Sequence, residues 1–123
     1  LQFSRYNLEQ SGASGPVSGL QSWILQNLTA DLCVERLAER VAMSPRNFTR
    51  VFTRDVGVPP ARYVTEARLA AARQLLEQTQ DPLEVIAEKS GFGTSINLRR
   101  VFEKQLHLTP GEYRQRFHCR RMA

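Results

Sequence analysis

Arg46, Thr49, Arg50 and Thr53 recur at i, i+3, i+4 and i+7. On a helix that spacing places all four on one face. Such a face offers positive charge and hydrogen-bond donors. A guanidinium is a planar fork that fits phosphate oxygens, or the O6 and N7 edge of guanine, with two parallel hydrogen bonds. Further on, Ser95, Ile96, Asn97, Arg99 and Arg100 make a second cluster of related character, with Asn97 answering Asn47. This is chemistry for holding an anionic polymer and touching its polar edges. Bond-breaking chemistry is not in view: there is no Cys–His or Ser–His–Asp set, no paired-carboxylate site and no phosphate-cradling loop. His107 and His118 stand late in the chain with no nucleophile to serve.

The elements that must position these residues are all helical. Pro16 offers a helix first turn, and PVSGLQSWILQNL carries Leu20, Trp23, Ile24 and Leu28 at helical spacing. VERLAERV follows, with Val34, Leu37, Ala38 and Val41 on one face, and turns tightly at Ala42-Met43. Ser44 and Pro45 read as N-cap and first residue of a helix whose Phe48, Val51 and Phe52 point inward, stopped by Gly57 and Pro59-Pro60. A long helix over 60–78 buries Leu69, Ala72, Leu75 and Leu76. Asp81-Pro82-Leu83-Glu84 reads as a capped start for the short helix LEVIAEKS. Thr94 or Ser95 caps INLRRVFEKQL, in which Leu98, Val101 and Phe102 face inward and Ile96, Arg99, Arg100 and Glu103 outward. Thr109-Pro110 opens a short last helix, GEYRQRF, whose Arg114 and Arg116 are expected to meet phosphate at most. The fold class is all-α, with about seven helices.

The chain repeats itself. Val34–Val41 aligns with 83–90 at an offset of 49, and after a one-residue insertion in the second turn the offset becomes 50. Nine of the thirty positions 34–63 are then identical, among them Asn47/Asn97, Arg50/Arg100, Phe52/Phe102 and Tyr63/Tyr113; composition alone would give about two. The repeated unit is a short helix, a tight turn and a second helix, apolar inside and basic outside, which describes a helix-turn-helix. In that motif the second helix lies in the major groove of double-stranded DNA and presents its N-terminal residues to the bases. One such unit is weak ground, because helical hairpins are common and an outward Arg can serve a surface salt bridge. Two copies with Arg at the same outward position are much stronger ground. On this reading Arg46, Asn47, Thr49, Arg50 and Thr53 contact DNA in one unit, and Ser95, Ile96, Asn97, Arg99 and Arg100 in the other. The recognition helices span about 45–55 and 95–106.

The balance of charge agrees. Lys and Arg number 17 against 12 acids, for a net charge of +5, and only Lys89 and Lys104 are lysines. A solvated basic surface or a helical protein-interaction module would share the composition, but neither needs outward Arg on both repeats. No apolar run nears the roughly 18 residues that span a bilayer, so no membrane is expected. His118 and Cys119 are adjacent without a second ligand pair, so no metal is expected, and no cofactor either. Cys33 reads as a small core or cap residue, and two distant cysteines suit a reducing, cytoplasmic setting.

IAEKSGFG, NLRRVFEKQL and LTPGEYRQRF carry A-x-x-x-G-F, R-x-F and T-P-x-x-Y-R patterns, and RLAAARQLL is like a linker helix. From about Pro16 to Phe117 the chain resembles the AraC/XylS family of transcription regulators. The resemblance implies two helix-turn-helix units (16–58 and 81–117) joined by a linker helix (60–78), reading adjacent major-groove segments, with base-reading roles for Arg46, Thr49, Arg50, Ser95, Ile96, Asn97, Arg99 and Arg100. It implies RNA polymerase as a further partner. Three departures stand out: Leu98 where many members have Phe, His107 for a frequent Gly, and apolar Ile96 where polar readers are frequent, a residue suited to a thymine methyl. NLRRVF and WILQNL further resemble the branch with a DJ-1/PfpI-like N-terminal domain. The chain opens on Leu1 rather than Met and is expected to be part of a longer protein. An effector and dimerisation domain would then precede it, and residues 1–15 would be a flexible interdomain linker.

Overall fold

The computed structural model describes residues 17–122, with side chains as far as His118. The expected linker over 1–15, the helix start at Pro16 and the side chain of Cys119 lie outside the described residues. Within them run seven helices and no strand: α1 (Ser18–Gln26), α2 (Val34–Arg40), α3 (Pro45–Val56), α4 (Pro60–Gln78), α5 (Leu83–Ser90), α6 (Ser95–Leu106) and α7 (Pro110–Met122).

The chain divides into two compact units between Ala67 and Arg68, inside α4. In the first, Leu20 and Ile24 of α1, Leu37 and Ala38 of α2, Phe48, Val51, Phe52 and Val56 of α3, and Tyr63 and Val64 of α4 share one core. In the second, Leu69, Ala72 and Leu76 of α4 pack with Ile86 and Ala87 of α5, Phe92, and Leu98 and Phe102 of α6. Helix α4 has 19 residues, about 28 Å at roughly 1.5 Å per residue. Its first half closes one unit and its second half opens the next.

The inward faces are those the periodicity gives, and aromatic contacts hold them. Phe52 meets Tyr63 edge-on at 5.4 Å between centroids, and Phe102 meets Tyr113 edge-on at 5.6 Å. Phe48 and Phe52 stack tilted at 5.6 Å. Burial pushes the phenols of Tyr63 and Tyr113 above the ordinary tyrosine range; for Tyr113 the hydrogen bond to Glu77 pushes the same way and Arg73 opposes.

The turn between α2 and α3 and the turn between α5 and α6 both need a left-handed residue. In the second these are Gly91, φ 99°, and Gly93, φ 88°; in the first it is Ala42, φ 57°. Ala42 and Gly91 each donate N–H three residues back, Ala42 to Glu39 O at 3.1 Å and Gly91 to Glu88 O at 3.3 Å. The next closing bond spans five residues in one turn, Met43 N–H to Ala38 O at 3.0 Å, and six in the other, Gly93 N–H to Ala87 O at 2.9 Å. The extra residue lengthens α5, which runs to 8 residues, one more than the 7 of α2, so its C-cap falls at Gly91 where the first unit's falls at Val41. An L-residue in this conformation costs roughly 1–2 kcal/mol, so Ala42 carries a strain that Gly91 does not.

Three local expectations need correction. Cys33 takes the N-cap position of α2, but its side chain is exposed and caps nothing; Leu37 and Ala38 fill the core instead. Helix α5 starts one residue later than a cap at Asp81 requires: Pro82 is the N-cap and makes no side-chain bond. The Asp81 carboxylate is drawn away to Lys89 Nζ at 3.1 Å. A complete capping box stands at α7, where Glu112 N–H donates to Thr109 Oγ1 at 3.0 Å and Thr109 N–H to Glu112 Oε1 at 2.9 Å. That helix continues to Met122, beyond the short GEYRQRF segment.

Candidate nucleic-acid interface

Helices α3 and α6 begin in the same way. Ser44 Oγ accepts from Asn47 N–H at 3.2 Å, and Thr94 Oγ1 accepts from Asn97 N–H at 3.1 Å. Each cap satisfies one of the orphan donors of a helix start and fixes where the first turn points. They also end alike: Gly57 at φ 100° and His107 at φ 62° both adopt the left-handed conformation, donating N–H to Thr53 O and Glu103 O, each at 2.9 Å. His107 therefore keeps the glycine-type cap despite its side chain.

On these frames sits one motif made twice. Arg50 Nη2 donates to Asn47 Oδ1 at 2.6 Å, and Arg100 Nη2 donates to Asn97 Oδ1 at 2.6 Å. The arginines are exposed and the asparagines half-buried. A neutral amide orients the guanidinium without cancelling its charge. This decides against the surface salt-bridge reading: the ion pairs among the described residues engage Arg36, Arg54, Arg62 and Lys89, never Arg50 or Arg100. In the second unit the brace is anchored further, because Asn97 Nδ2 donates to Phe92 O at 3.1 Å.

The other expected contact residues fall around these pairs. Arg46 and Arg99 are exposed, with no ion-pair partner among the described residues. Thr49 and Thr53 are half-buried, and Thr53 donates its hydroxyl proton to Thr49 O at 2.7 Å, leaving it only acceptor capacity outward. Ser95 and Asn97 are half-buried. Ile96 is 76% exposed. Arg54, next to the first cluster, is paired at 2.9 Å with Asp55, which holds its guanidinium above the usual arginine range. No group of three or more His, Cys, Asp or Glu side chains that could hold a metal occurs among the described residues, and no described helix is long and apolar enough to cross a membrane.

Arg114, expected to meet phosphate at most, is engaged inside its own unit. Its guanidinium donates to Leu76 O at 3.2 Å, Thr79 O at 3.0 Å and Asp81 O at 2.9 Å. It closes the C-terminal end of α4, where backbone carbonyls lack helical partners and positive charge is favoured. Beside it Tyr113 donates its hydroxyl to the Glu77 carboxylate, under the Arg73 guanidinium, 5.6 Å from the ring centroid. The sequence holds no local sign of the Arg114 clamp, since its partners lie 33–38 residues away. The Asn–Arg brace did leave a sign: both members belong to the identities of the repeat, at the i, i+3 spacing that lets side chains meet.

Two units, each presenting a capped helix with a braced, uncompensated arginine, define a double helix-turn-helix DNA-binding domain. The chain belongs to the helix-turn-helix domain family whose model matches residues 37–116. It is 48% identical over 84 residues to the HTH-type transcriptional regulator Rv1931c of Mycobacterium tuberculosis, covering 68% of this chain and 32% of that protein. The DNA-binding domain of AdpA, solved in complex with a target DNA, superposes with a TM-score of 0.83 at 33% identity, over 88% of this chain and 97% of that one. An AraC-type regulator from Chromobacterium violaceum matches with a TM-score of 0.68 at 27% identity, over 93% and 94%. The chain spans about a third of the length of the curated relatives it matches.

Proposed function

We propose that this chain is the DNA-reading part of a cytoplasmic, bacterial-type transcription regulator, without catalytic activity of its own. Helices α3 and α6 lie in adjacent major-groove segments, with α4 as the linker helix between units. Arg50 and Arg100 take guanine edges. Arg46, Asn47, Thr49 and Thr53 in one unit, and Ser95, Ile96, Asn97 and Arg99 in the other, complete the contacts to bases and phosphates. The observation that carries this reading is the duplicated Asn–Arg pair at 2.6 Å, which presents a fixed guanidinium fork at the same outward place in both units. Forks so held suit bidentate contact to O6 and N7.

The longer protein supplies what the domain lacks. We propose an N-terminal effector and dimerisation domain of the DJ-1/PfpI-like type, supported by the NLRRVF and WILQNL wording, and RNA polymerase as a second partner for surfaces away from DNA.

Mobility shift of the 123-residue chain on duplexes selected from a random pool tests the reading. Log affinity should fall linearly with log salt, by about one unit for each phosphate neutralised. Selection should return a consensus, not a smear of sequences. Binding that ignores salt, or no binding at low salt, overturns it.

A further inference from the structure

Among the described residues Ile96 is the exposed large hydrophobic side chain, with 76% of its surface open. It is the second residue of α6, and Arg100 follows it at i+4 on the same face. The unit's packing does not need it there: Leu98 and Phe102 fill the core from the other side of the helix. The equivalent position of the first unit is Arg46, also exposed, so the fold accepts a charged residue at this place. An aliphatic side chain kept in water at the N-terminal end of a reading helix asks for an apolar surface. The major groove offers one on unmodified base pairs, the C5 methyl of thymine.

We infer that Ile96 reads a thymine methyl, close to the guanine taken by Arg100. This rests on the proposed placement of α6 in the major groove. Four helical residues rise about 6 Å, roughly two base steps of about 3.4 Å, so the thymine lies within about two base pairs of that guanine. The two halves of the DNA site are then unlike in kind. The first unit meets its half with guanidinium forks at both positions, Arg46 and Arg50. The second meets its half with a methyl contact and a single fork.

The test starts from the selected duplex. The half belonging to the second unit is the one where Arg100→Ala relaxes a guanine preference. Each thymine in that half is replaced in turn by deoxyuridine, which removes the methyl and nothing else. Affinities are measured for the wild-type chain and for Ile96→Ala, whose thermal unfolding should match the wild type because the side chain is exposed. One replacement should weaken wild-type binding about fourfold, the equivalent of one methyl taken out of contact. The same replacement should leave Ile96→Ala unmoved. A half-site without thymine, no deoxyuridine effect on the wild type, or an equal effect on both proteins overturns the inference while the larger reading stands. If Arg100→Ala keeps every base preference, α6 does not read DNA, and the inference falls with that reading.

Discussion

The two units share a way of holding a helix and differ in almost everything around it. Common to both are the hydroxyl cap, the Asn–Arg brace, the inward Phe, the Tyr that meets its edge and the left-handed C-cap. What differs is how each unit is closed. Among the described residues the first core contains 13 buried hydrophobic side chains and the second 8, and the smaller one is supplemented by polar ties. Where the first unit has Val64 in its core, the second has Arg114 clamping three carbonyls. Tyr63 is buried, whereas Tyr113 is half-buried and bonded to Glu77. The comparison teaches that the constraint acting on both copies is the presentation of one fork, since apolar packing and polar tethering both deliver it.

The largest effect that can break this comparison lies in the shared aromatic. Phe52→Ala and Phe102→Ala should each cost about 3–5 kcal/mol of stability, read by chemical or thermal unfolding. A loss under about 1 kcal/mol in either would mean that its helix face is misassigned.

Polar tethering comes next. Arg114→Ala leaves three carbonyls unpaired and should cost about 1.5–3 kcal/mol, while the salt slope of DNA binding stays as it was. Arg116→Ala is the contrast: this exposed cation has no partner among the described residues, so stability should hold and the slope should drop by about one unit. If Arg114→Ala lowers the slope and spares stability, the clamp is not what holds the second unit.

The forks themselves follow. Arg50→Ala and Arg100→Ala should each relax preference at one base pair, losing about 1–3 kcal/mol of discrimination, measured against single-base variants of the selected site. Removing a brace should matter more in the second unit, where Asn97 is also tied to Phe92 O. Asn97→Ala should therefore blur the Arg100 base preference more than Asn47→Ala blurs that of Arg50. Equal blurring would show that the extra anchor does nothing.

The smallest effect is in the turns. Ala42→Gly should stabilise the protein by about 0.4–1 kcal/mol, because it relieves a positive φ in the turn between α2 and α3, where the equivalent turn of the second unit has glycine. A destabilised variant would show that the methyl packs better than the backbone suffers.

The reading helices were legible in the sequence because their signals are local and doubled. Ser44 before Pro45, Thr94 three residues before Asn97, and the Phe48–Phe52 and Leu98–Phe102 spacings each need only a few residues of context. Asp81 misled for the opposite reason: a cap at that position competes with a lysine eight residues on, and the pairing with Lys89 wins. Arg114 could not be read at all, since helix-terminal carbonyls find partners across the fold without leaving any periodicity. Ile96 stood out as an odd residue in the text of the sequence, but its exposure is a property of the folded unit.

Helix α4 contributes Tyr63 and Val64 to one core and Leu69, Ala72 and Leu76 to the other. A cut between Ala67 and Arg68 would leave each core all of its own residues, yet end each unit on half a helix, with backbone N–H and C=O groups newly unpaired at the break. Recombination between relatives leaves the helix continuous. A crossover at that boundary keeps each lineage's segment of α4 with the core it already packs into. The heritable module here is the unit with its own half of α4, so new binding specificities are accessible by exchange of halves as well as by substitutions on the outward faces of α3 and α6.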